Sequence, residues 1–70
     1  MKNIAKHTNG MNTTELTDLL AKLENALAIR KKMLANAIKN LDEFAVNACR
    51  IGIRENENKI AYIREKLINA

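Results

Sequence analysis

Apolar residues recur along most of this chain at helical spacing, in two stretches that do not share a register. In the first stretch Leu20, Leu27, Leu34 and Leu41 stand seven apart. Leu16, Leu23, Ala37 and Phe44 fill the alternate seam position, and Ile38 widens the stripe. The stretch reads as an amphipathic helix that packs on another helix. In the second stretch the seam is Val46, Cys49, Ile53, Ile60, Ile63 and Leu67. Arg30 interrupts the first seam and Asn56 the second. A phase break in a chain without proline predicts a turn between two helices, or a change of partner along one long helix.

Two places suit the turn. Asn40-Leu41-Asp42 contains poor helix formers, and Asn40 with Glu43 offers a capping pair. Gly52, followed by apolar Ile53, suits a helix C-terminus. A turn at 40–42 is preferred, because it gives two helices of similar length that bury their seams along the whole hairpin. A break at Gly52 gives a three-helix arrangement, or a long helix with a short one. The expected fold is therefore all-α, an antiparallel helical hairpin that dimerises into a four-helix bundle.

Residues 1–11 show no periodicity and carry the Asn9-Gly10 turn signal, so they read as a flexible tail before a single helical domain over 12–70. The clearest local signal follows. Asn12 suits an N-cap, Glu15 stands three residues later to reach back to the cap, and Met11 and Leu16 occupy the two staple positions. Glu15 and Asp18 add negative charge near the positive end of the helix dipole.

Composition narrows the chemistry. A core built from 70 residues contributes only a few kcal/mol unless something staples it. Cys49 is the only cysteine and His7 the only histidine, so neither an internal disulfide nor a metal site is expected, and no cofactor. Oligomerisation, a partner or unusually good helix packing remains. The net charge of +4 favours solubility and mild attraction to acidic partners, without the dense cluster of a strong nucleic-acid binder. No apolar run approaches the ~18 residues of a membrane span, and the N-terminus has no apolar stretch of the secretory kind. A free cysteine fits a reducing cytoplasm. The abundance of Asn, Ile and Lys suggests an A/T-rich genome, and with the small size a bacterial, phage or plasmid accessory protein.

The second helix carries the most informative feature. At about 100° per residue, Phe44, Ala48, Ile51 and Tyr62 fall nearly opposite its seam, and they include both aromatic residues of the chain. A helix apolar on two faces is usually sandwiched between two neighbours, and a lone hairpin offers one. These four residues are therefore expected to form an interface with a second copy or with another protein. The alternative folds Phe44 and Ile51 into a three-helix core.

Arg30 and Asn56 read as a polar layer that sets the register of the seam. With a turn near Leu41, residue 30 lies roughly opposite residue 52, where Gly52 leaves room for the arginine stem. A recognition role for Arg30 is the other reading. Lys22, Lys31, Lys32 and Lys39 are the candidates for nucleic-acid contact, but Arg30-Lys31-Lys32 point in different directions on the wheel and acids are interspersed. A solvated face is the simpler account.

No group of residues suggests catalysis. Cys49 sits on a seam as a small apolar residue, and no histidine is placed to activate it. Asp42-Glu43 and Glu55/Glu57 have no acid–base companions. Absent tryptophan and interleaved charges argue against membrane-surface binding. The expectation is a non-enzymatic protein-binding regulator, inhibitor or adaptor with no small-molecule substrate. A nucleic-acid-binding hairpin is the alternative, distinguished by a steep loss of binding with salt. A structural subunit of a larger assembly is the third. In length and hairpin the chain resembles small plasmid-encoded RNA-binding four-helix bundles, a likeness of fold alone.

Overall fold

The computed structural model describes residues 8–69 and is an antiparallel hairpin of two long helices, α1 (Thr13–Lys39) and α2 (Glu43–Ile68). Its extents are 43 × 20 × 15 Å, those of a slab one helix thick.

α1 begins where its capping signals stand. The Glu15 N–H donates to Asn12 Oδ1 at 2.8 Å, and the Asn12 N–H donates to Glu15 Oε1 at 3.4 Å. The reciprocal pair satisfies two donors that the first helical turn leaves without partners. Met11 packs against the cluster of Leu16 and Ile63 and so completes the staple. Thr8 to Met11, which the sequence places in the tail, form a turn closed by Met11 N–H to Thr8 C=O at 3.1 Å, and Thr8 is buried. Residues 1–7 of that tail, His7 among them, lie outside the described residues.

The turn falls at 40–42, with a different cap from the expected one. Asn40 closes α1, and the cap of α2 is Asp42, whose side chain accepts from the Ala45 N–H at 3.1 Å. Asn40 is held by the end of the first helix. Its N–H donates to Asn36 C=O, Leu41 N–H to Ile38 C=O and Asp42 N–H to Ala37 C=O. This double closure is a Schellman motif, and it requires a left-handed residue just past the cap. Leu41 takes that conformation, with φ 55°.

Gly52 does not break the chain, because α2 runs through it. The first heptad stripe ends at the turn, so Leu41 and Phe44 project into solvent although their spacing continues the seam. Ile38 is also exposed. Leu16 and Ala37 are buried, while Leu20, Leu23, Leu27 and Leu34 are half-buried. The α2 seam behaves as its pattern predicts: Cys49, Asn56, Ile60 and Ile63 are buried, and Val46, Ile53 and Leu67 half-buried. The best-covered region is the open end, where Met11, Leu19, Leu20, Leu23, Tyr62 and Leu67 surround Leu16 and Ile63. Neither helix is long and apolar enough to cross a membrane.

Candidate functional site

Two helices side by side leave two broad faces, and the faces differ. One carries a groove of ≈ 390 Å³ lined by Ala26, Ile29, Arg30, Met33, Ala48 and Cys49. Its lining is almost wholly apolar in kind, with Arg30 as the charged exception. Ala48 belongs to the stripe singled out from sequence, and Phe44 and Ile51 flank it one turn to either side. Phe44 is 86% exposed and Ile51 62%. Ile29 and Met33, four apart on α1, face the same groove and are 59% and 55% exposed. α1 therefore has a second apolar face of its own, and the two helices bring these faces to one side of the slab.

Tyr62 parts from the other three predicted interface residues. It is half-buried at the open end, packed against Leu16 and Ile63, with Lys66 Nζ 5.5 Å from its ring centroid. Met11 and Lys66 line the same surface there. The face is thus apolar toward the turn, and toward the open end its lining mixes Met11, Leu16 and Tyr62 with polar Glu65, Lys66 and Asn69.

Arg30 and Asn56, read from the sequence as one polar layer, stand at different depths, Arg30 exposed and Asn56 buried. Arg30 lies over Gly52, and a Cβ built on that glycine would overlap the guanidinium, with Cζ at 3.1 Å and Cδ at 3.5 Å. Arg30 makes no ion pair among the described residues. Asn56, one turn further along α2, is 5% exposed, and its Nδ2 has no hydrogen-bond partner. An unpaired buried amide of this kind costs about 1–3 kcal/mol. Cys49 is a free thiol buried at the floor of the groove.

The opposite face is polar in its middle, while Ile38, Leu41 and Val46 line a groove at its turn end with Glu43, Asn47 and Arg50. The middle groove is lined by Glu24, Leu27, Ala28, Lys31, Glu57, Ile60, Ala61 and Arg64, and Arg64 pairs with Glu24 at 3.7 Å. This pair is exposed on both sides and contributes little to stability. Of the candidate nucleic-acid contacts, Lys31 sits among the carboxylates of this groove, while Lys22, Lys32 and Lys39 are exposed elsewhere on α1. The fold does not gather the four into one patch. Among the described residues no three His, Cys, Asp or Glu side chains cluster as a metal site would require.

The sequence reading missed Ile29 and Met33. Their i, i+4 spacing was visible, but their face mattered only once α2 placed Ala48 beside it. No family model, curated protein or solved structure matches this chain.

Proposed function

We propose that this hairpin is a non-enzymatic protein-binding module, of the regulator, inhibitor or adaptor kind, whose contact surface is the broad face around Ala48. The observation that carries this reading is the exposure of Ile29 and Met33 beside Ala48 in one apolar groove, with exposed Phe44 and Ile51 a turn to either side of Ala48 on α2. Large apolar side chains left in water together mark a surface that another chain covers. Helix-in-groove packing is the mode that such a face supports, with anchors at i, i+3, i+4 and i+7 spacing.

Photo-crosslinking in the cells that make the protein tests this. A benzophenone amino acid at Ile51 is expected to capture protein in covalent adducts, and the same probe at Ala28, on the polar face, is not. Equal capture at the two positions, or none at Ile51, would refute the reading.

A further inference from the structure

We infer that the occupant of the apolar face is a second copy of this chain, packed face to face with both turns at the same end of the dimer. This rests on the contact surface proposed above and adds its partner and its geometry.

Area is the first argument. A face of 43 by 20 Å matches the roughly 800 Å² that each partner of a stable interface buries. A copy of the same hairpin, laid along its full length, covers that face from end to end.

The distribution of the bare residues then selects the arrangement. Two hairpins meeting face to face have two ways to be symmetric. In one, turns lie at opposite ends and each helix packs on its own equivalent. In the other, turns lie together and α1 packs on the partner's α2, antiparallel to it. On the groove side the exposed apolar residues stand in the turn half: Ile29 and Met33 line the groove beside Ala48, and Phe44 and Ile51 flank Ala48 a turn to either side. With turns opposed and full overlap, this half would lie on the open half, where Met11 packs on Leu16 and Ile63 and polar Glu65, Lys66 and Asn69 line the surface. Sliding the hairpins to bring the apolar halves together would leave both open halves without a neighbour. Only turns at one end give full overlap with apolar on apolar.

Two opposite-charge pairs point the same way, against one like-charge meeting of Lys22 with the other copy's Lys59, both exposed enough for their heads to turn to solvent. Glu15 stands 18 residues before Met33, five turns at 3.6 residues per turn, and so on the groove side of α1. Lys66 stands 18 residues after Ala48, on the groove side of α2 by the same count. The contact between Arg30 and Gly52 sets the level of one helix against the other, and it places Glu15 level with Lys66 at the open end. Glu55, seven residues after Ala48, is within a turn of the Arg30 level. With turns together, Glu15 faces Lys66 of the other copy, and Arg30 faces the other copy's Glu55. None of the four makes an ion pair within the chain among the described residues. The opposed arrangement sets α1 on α1 and α2 on α2, which brings neither pair together.

Pulsed electron–electron resonance on purified protein reads the geometry. The background is Cys49→Ala, with Cys49→Val as the second choice should the first reduce helicity. Spin labels go to Asn40→Cys at the turn and, in a separate chain, to Thr14→Cys at the open end. The expected result is a dimer in which both labels give separations nearer the 20 Å width of the hairpin than its 43 Å length. A separation near or beyond the hairpin length for either label overturns the arrangement. A monomeric mass of the unsubstituted protein by light scattering, with no dipolar coupling at either position, overturns the second copy as occupant. Crosslinking at Ile51 to a foreign protein would then leave the contact surface standing, so the two failures are distinguishable.

Discussion

Gly52 stands in the middle of α2 with the Arg30 guanidinium laid over it. A glycine in a helix interior costs about 1 kcal/mol relative to alanine. The three heavy atoms nearest a built Cβ all belong to the Arg30 side chain, and Arg30 is exposed. Gly52→Ala should therefore displace the guanidinium outward and still raise the stability of the hairpin, by up to about 1 kcal/mol in urea unfolding. A loss of stability would mean that the Arg30 contact outweighs helix propensity. The apposition of 30 and 52 was legible in the sequence, because a turn centred on Leu41 pairs positions by simple counting. The unpaired amide of Asn56 was not. Seam spacing puts Asn56 in the interior, but whether an acceptor reaches it depends on side-chain conformations that periodicity does not encode.

At the scale of elements, the two ends of α1 differ in how openly they are written. The start is a capping box and staple made of neighbours in sequence, so four residues suffice to predict it. The finish is a left-handed leucine, a residue type that gives no such signal. Heptad spacing assigns Leu41 to the seam, but backbone closure by Ala37 and Ile38 takes it for the turn and leaves its side chain in water. Left-handed backbone costs a residue with a Cβ about 1–2 kcal/mol, and glycine avoids that cost. Leu41→Gly should raise the unfolding free energy of the hairpin by about 1 kcal/mol, because strain relief exceeds the added freedom of the unfolded chain. Denaturant titration monitored by helicity measures it. An unchanged or lower midpoint would show that the exposed leucine makes a contact worth more than the strain.

The whole molecule is a slab with one seam, and the described residues bury only Leu16, Ala37, Cys49, Ile60 and Ile63 as apolar core. A pair of helices with so small an interior lacks the burial that usually sustains a fold of this length. The hairpin was legible because each helix declares its seam. The sidedness of the second faces was not, since it arises only when antiparallel packing turns Met33 and Ala48 toward the same side. In the face-to-face dimer proposed above, stability and association are a single quantity. For a folded dimer in equilibrium with unfolded chains, each tenfold rise in concentration adds about 1.4 kcal/mol to the balance. That corresponds to a few degrees in the melting midpoint for a dimer of this size. Thermal melts across a hundredfold concentration range should therefore shift upward with concentration. Ile51→Glu places a charge in the apolar half of the face, so its melt should fall to lower temperature and lose helicity on dilution sooner. A midpoint independent of concentration in both proteins would mean that the single seam sustains the hairpin alone, and that the apolar face contributes nothing to its folding.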